Sequence, residues 1–192
     1  YGKVNFSGGT INTHVTTDMV DARYAATATE NKYNGYGYGI RLEPSANADE
    51  TKCYAGILNM TGGTINVTND RSYNGNYPNY GVMFNAGAAN IDSGKKATDG
   101  SMGQKASATG SITGGEINVT SGTQYSHGVY VLGSYNSHDS THHVVQIKNC
   151  KITSKAYVYA YGVSAWAGIN TTNGGCYSGD VEITDCKIYC ES

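Results

Sequence analysis

One hexapeptide pattern occurs five times in this chain, and it dictates how the chain can fold. The pattern is an apolar residue, any residue, Gly/Asn/Asp, Gly/Cys, any residue, then Ile. Its first three copies are Phe6-Ser7-Gly8-Gly9-Thr10-Ile11, Met60-Thr61-Gly62-Gly63-Thr64-Ile65 and Ile112-Thr113-Gly114-Gly115-Glu116-Ile117. The last two are Ile147-Lys148-Asn149-Cys150-Lys151-Ile152 and Ile183-Thr184-Asp185-Cys186-Lys187-Ile188. Two residues before each copy stand Val4, Leu58, Gly110, Val145 and Val181, and two residues after stand Thr13, Val67, Val119, Ser154 and Cys190. Self-similarity of this kind marks a stacked repeat architecture.

Each copy reads as a strand, a sharp bend and a second strand. Alternation before the bend turns Val145 and Ile147 inward and Gln146 and Lys148 outward. The bend carries Gly, Asn or Asp, which tolerate left-handed backbone angles. Beyond it the Ile points inward and the next residue (Asn12, Asn66 or Asn118) points out.

A second motif follows each of the first four copies: Tyr38-Gly39-Ile40-Arg41-Leu42, Tyr80-Gly81-Val82-Met83-Phe84, His127-Gly128-Val129-Tyr130-Val131 and Tyr161-Gly162-Val163-Ser164-Ala165. This predicts a third strand per repeat. The repeat isoleucines are spaced by 54, 52, 35 and 36 residues, and the excess in the first two repeats reads as surface insertions near 15–32 and 86–108. Strands that recur once per turn pair in parallel with their own copies. The expected fold is therefore all-β: a single parallel β-helix domain over 1–192, with about five coils. Right-handed coiling follows from the chirality of parallel connections. Both ends read as uncapped, because the first and last repeats lie within a few residues of Tyr1 and Ser192.

These repeats resemble the right-handed parallel β-helix repeats of pectate-lyase-like polysaccharide lyases, phage tailspikes and bacterial surface or autotransporter-type adhesins. The Gly-Gly-Thr-Ile and Gly-Gly-Glu-Ile copies are especially similar to repeats of the surface proteins. The resemblance spans nearly the whole chain, but it implies architecture far better than function.

Composition agrees with the repeats. Gly (26) and Tyr (17) are abundant, Pro (2) is scarce, and Leu is confined to Leu42, Leu58 and Leu132. A formal net charge of −2 gives no basic surplus for a nucleic acid partner. No apolar run is long enough for a membrane-spanning helix.

Five cysteines (Cys53, Cys150, Cys176, Cys186 and Cys190) point to an oxidising, secreted or cell-surface setting. Cys150 and Cys186 share a slot in consecutive coils, so they should stack about 4.8 Å apart, as a disulfide or as a pair of buried thiols. Cys53 and Cys176 share a longer match but belong to distant coils, and Cys190 is the candidate for a link to a neighbouring molecule.

A polysaccharide-cleaving β-helix needs carboxylates for Ca²⁺ and a basic residue on one face. The outward columns hold instead Asn12, Asn66, Asn118, Thr153 and Tyr189, and Arg41, Met83, Tyr130 and Ser164. No catalytic residue, metal ligand or cofactor is assigned, and the histidine-rich segment His138-Asp139-Ser140-Thr141-His142-His143 reads as a solvated loop. Tyr38, Tyr80 and Tyr161 form one expected column with His127, and Tyr36, Tyr125 and Tyr159 a second. Such columns brace a solenoid wall or offer a platform for sugar rings. Asn5, Asn59, Asn66, Asn118 and Asn170 begin Asn-x-Ser/Thr sequons.

The sequence thus favours an extracellular structural role: a subunit of a head-to-tail stacked filament, or a segment of a surface adhesin, with the chain itself as partner. A glycan-binding or glycan-cleaving β-helix is the alternative, with cell-surface or extracellular glycans as partners.

Overall fold

The computed structural model describes residues 2–16, 35–43, 45–46, 53–54, 56–70, 77–85, 108–132, 144–166 and 179–192. The first layer supplies β1 (Lys3–Phe6), β2 (Thr10–Val15) and β3 (Tyr38–Leu42). A short pair follows, β4 (Ser45–Ala46) and β5 (Cys53–Tyr54). The next layers give β6 (Ile57–Met60), β7 (Thr64–Asn69) and β8 (Asn79–Phe84), then β9 (Thr109–Ile112), β10 (Glu116–Ser121) and β11 (Tyr125–Leu132). After these come β12 (Val144–Lys148), β13 (Lys151–Lys155) and β14 (Tyr159–Trp166), and finally β15 (Asp180–Thr184) and β16 (Lys187–Glu191).

The strands assemble into three parallel sheets, β1-β6-β9-β12-β15, β2-β7-β10-β13-β16 and β3-β8-β11-β14. The chain is all-β over the described residues, with parallel strands in stacked sheets, an arrangement compatible with a parallel β-helix. Register follows the repeat: Ile11 pairs with Ile65, Ile65 with Ile117, Ile117 with Ile152, and Ile152 with Ile188. The pair β4–β5 is antiparallel, which the repeat did not foretell.

The core fills the space between the sheets. Leu58, Met60, Ile112, Val145 and Ile147 enter from the first sheet, Ile65, Val67, Ile117, Val119 and Ile152 from the second, and Val82, Phe84 and Val129 from the third. The expected alternation holds at β12, where Val145 and Ile147 are buried and Gln146 is exposed. In the third sheet it breaks. Ile40, Val82 and Val129 are buried, yet the preceding glycine also faces the second sheet: a Cβ on Gly39 would lie 2.3 Å from Ile65 Cγ2, and one on Gly128 would lie 2.2 Å from Ile152 Cγ2. The aromatic residue before each glycine is thereby turned to the outer wall.

The bends confirm the need for left-handed angles but shift where it falls. Gly9, Gly63 and Gly115 have φ of 86°, 89° and 87°; in the last two layers Asn149 and Asp185 take φ of 51° and 52°. By register Cys150 stands where Gly115 does, so the left-handed residue moves one position earlier when a cysteine replaces the second glycine. Asn and Asp carry that conformation at little cost, which leaves the Cys free to point into the core.

Two boundaries of the expected insertions fall on described residues. Val15 closes β2 and is buried, and Ala108 is buried just before β9. Apart from Thr16, the rest of both insertions lies outside the described residues. A buried polar corner leads into the third sheet. Asn79 Oδ1 accepts from Gly37 N (2.8 Å) and Asn69 Nδ2 (3.0 Å), while Asn79 Nδ2 donates to Ser121 Oγ (2.7 Å). These bonds satisfy a turn that apolar packing could not.

Candidate functional site

The outer wall of the third sheet carries a continuous ring stack. Tyr38 lies on Tyr80 with ring centroids 5.3 Å apart, Tyr80 on His127 at 5.1 Å, and His127 on Tyr161 at 4.9 Å, all within 15° of parallel. Parallel pairing delivers one ring per layer at the spacing that stacking favours. Tyr130, three residues further along β11 than His127, meets both Tyr80 and His127 edge-on, and the Arg41 guanidinium sits 4.9 Å from the Tyr38 ring centre.

Burial limits what this column can do. Tyr80 is 7% exposed and His127 is 4% exposed, and each ring has both faces covered by its neighbours. Neither can receive a sugar ring. Burial raises the Tyr38 and Tyr80 hydroxyl pKa values, and it lowers His127 from 6.5 to about 4, so that imidazole is neutral at physiological pH. Its Nδ1 lies 2.8 Å from Ser164 Oγ.

The second expected column is broken. Tyr125 stacks on Tyr159 at 5.0 Å, but the register that pairs Ser126 with Asn79 places Pro78 in the slot between Tyr36 and Tyr125. Tyr36 packs instead beside Tyr38 at 6.2 Å and edge-on to Tyr77 at 5.5 Å. Tyr36, Tyr159 and Trp166 are the exposed aromatics of this wall. Trp166 was missed in sequence, though its slot opposite Leu132, one residue beyond the second motif, was open to the same counting.

The second sheet's outer face carries an asparagine ladder. Asn66 Nδ2 donates to Asn12 Oδ1 (2.8 Å) and Asn118 Nδ2 to Asn66 Oδ1 (3.0 Å). On the first sheet Asn59 Nδ2 donates to Asn5 Oδ1 at 3.2 Å. Four sequon asparagines therefore sit on strands, as ladder members. Asn170 lies outside the described residues.

Cys150 and Cys186 stack as the repeat requires. Their sulfurs are 3.3 Å apart, both thiols are free, and burial pushes the Cys150 pKa up to about 12. Cys190 is an exposed free thiol. Cys53 falls on β5, away from the three parallel sheets; Cys176 and the histidine-rich segment lie outside the described residues. Among the described residues no group of three or more His, Cys, Asp or Glu could hold a metal ion.

The two ends of the stack differ from its middle. Among the described residues β1, β2 and β3 at one end, and β15, β16 and β14 at the other, have a strand partner on one side only. Ile183 is 46% exposed and Ile188 39%, whereas their counterparts one layer in, Ile147 and Ile152, are fully buried. Val4, Phe6 and Ile11 are only partly covered at the opposite end. No family model matches this chain, and neither do the curated proteins or the solved structures with which it was compared.

Proposed function

We propose that this protein is an extracellular structural element, a right-handed parallel β-helix of about five coils with uncapped ends, which works by stacking its end layers in a head-to-tail filament or as one segment of a surface adhesin. The observation that carries the reading is the contrast between the ends and the middle. The same isoleucine column that is fully buried inside the stack is about two-fifths exposed at its last layer. Open layers of this kind carry unpaired strand edges and uncovered apolar side chains, and parallel pairing with another layer satisfies both. Among the described residues the outward columns hold amides, rings and ion pairs such as Lys151–Glu116.

Negative-stain electron microscopy and analytical ultracentrifugation of the purified chain test the proposal. Unbranched fibres and a concentration-dependent rise in sedimentation are expected. A clean monomer at high concentration with no fibres rejects self-stacking.

A glycan-binding role is the second reading. Exposed Tyr159, stacked on Tyr125, and exposed Trp166 at the other end of β14 offer ring faces on one wall. Retention on a panel of cell-wall and mucin glycans, lost in Tyr159→Ala, supports it; absence of retention on every glycan removes it.

A further inference from the structure

We infer that the partner at the exposed β15–β16 end is the β1–β2 end of a second copy, docked in the register that simply continues the columns of the stack. The inference rests on the stacking proposed above and adds the interface and its alignment. Reading each column upward makes the alignment explicit. Lys3 pairs with Ile57 and Ile57 with Thr109; the register of Ser111 with Gln146, carried two residues back, sets Val144 and then Asp180 in the same column, so the next copy brings Lys3 over Asp180. In the second sheet the column that begins at His14 ends at Glu191, and the one that begins at Ile11 ends at Ile188.

Charge complementarity selects this occupant. Of the columns that reach both ends, one carries a charge at each end, and the two are opposite, Lys3 against Asp180; a second sets the His14 ring against Glu191. The molecule already uses the same device between its own layers. Lys155 Nζ lies 2.6 Å from Glu191 one layer up, and Lys151 Nζ lies 3.6 Å from Glu116 one layer down. A His14 arriving above Glu191 would set its ring beside the Lys155–Glu191 pair, with its Nε2 2.5 Å from Asp70 of its own chain. Inward positions match as well, with Ile11 falling on Ile188 and Phe6 on Ile183, the side chains whose burial is incomplete. Opposite charges set across an interface fix register and exclude misaligned pairings more than they add affinity.

The third sheet sets the limit of the contact. Among the described residues it has four strands where the others have five, so a copy docked on β15 and β16 leaves one strand's width between β14 and its own β3. The joint is made on two sides of three.

Cys190 reports the register directly. Its column begins at Thr13, so Thr13 of the docked copy stands over Cys190 at one strand spacing, about 4.8 Å, inside the range a disulfide accepts. The test is Thr13→Cys in the full chain, with Asn12→Cys as the one-residue-shifted control, both treated with oxidised glutathione. The two thiols are oxidised to a disulfide while the glutathione disulfide is reduced to two thiols. A non-reducible-by-dilution ladder of covalent oligomers is expected for T13C, with the 13–190 cross-link identified by mass spectrometry and at least ten times its yield in N12C. Fibres by microscopy with no 13–190 cross-link, or with equal cross-linking in both variants, overturn the register while leaving stacking intact. No fibres from the unmodified chain overturn stacking, and this inference with it.

Discussion

Gly81 and Ile117 are packed so closely that a Cβ on the glycine would lie 2.2 Å from Ile117 Cγ2 and 2.5 Å from the Gly128 carbonyl oxygen. The same relation recurs between Gly39 and Ile65, Gly128 and Ile152, and Gly162 and Ile188. A glycine column in the third sheet thus lets the isoleucine column of the second sheet reach across the core. Each glycine meets the isoleucine one layer further on, so the column ties successive layers together as well as two sheets.

Gly81→Ala is therefore expected to destabilise the fold by about 3 kcal/mol or more, because one of the obstructing atoms is backbone and cannot rotate away. Gly8→Ala, where an added Cβ meets nothing within 4 Å, serves as the control and should fall within about 0.5 kcal/mol of the parent. Urea denaturation followed by circular dichroism measures both. Equal stability of the two variants would show that the columns are not packed as described.

The isoleucine column was legible in sequence, since a period-two pattern around a fixed bend leaves one register that turns every Ile inward. The ring stack on the third sheet was legible for the same reason. What escaped were features that break the local rule. Gly39 and its equivalents face the core beside Ile40, and simple alternation assigns only one of two neighbours to a face. Pro78 interrupts the Tyr36 column because the lengths of the connections, not the motif, decide which residue enters that slot. The burial of Tyr80 and His127 also lay beyond a column count, which gives order along the wall and nothing about what covers it.

His127 makes the fold acid-sensitive. Its pKa is 6.5 when unfolded and about 4 in place, lowered by burial between two tyrosine rings. Between those values the unfolded chain binds a proton that the folded chain refuses, so stability rises with pH across the window. The contribution is complete above about pH 6.5 and is lost as pH falls towards 4, amounting to about 3 kcal/mol at most. His127→Tyr, the residue that fills this slot in the other three layers, should flatten thermal stability between pH 6.5 and pH 4. An unchanged slope in H127Y would assign the acid sensitivity elsewhere.

The asparagine ladder contributes in proportion to the bonds each member makes. Asn66 lies between Asn12 and Asn118 and takes part in two amide bonds, while Asn12 takes part in one. With about 0.5–1 kcal/mol per half-exposed bond, Asn66→Ala should cost roughly twice what Asn12→Ala does. The ladder also constrains modification. Asn66 and Asn118 are paired strand neighbours about 4.8 Å apart, and two bulky glycans cannot share that spacing. Intact-mass analysis of folded protein from a glycosylating host should find chains with a sugar on one of them or neither. Chains carrying both would contradict the ladder.

The free thiols should react in an order set by their place in the stack. Cys190 is exposed, Cys186 half-buried, and Cys150 buried with its pKa pushed up to about 12, which leaves almost no thiolate there at neutral pH. Timed alkylation at pH 7.5 should label Cys190 first and Cys150 last, with Cys150 becoming reactive only on unfolding. Slow oxidation by oxidised glutathione is expected to join Cys150 to Cys186, whose sulfurs already lie 3.3 Å apart. The bond would close a loop of 36 residues and, by the chain-entropy relation, raise stability by about 3–4 kcal/mol. It would fasten the last layer, the one with the least covered isoleucines, to the layer beneath it. Peptide mapping that finds Cys150 labelled before Cys190 in the native protein would place that thiol outside the core and undo the stacked pair.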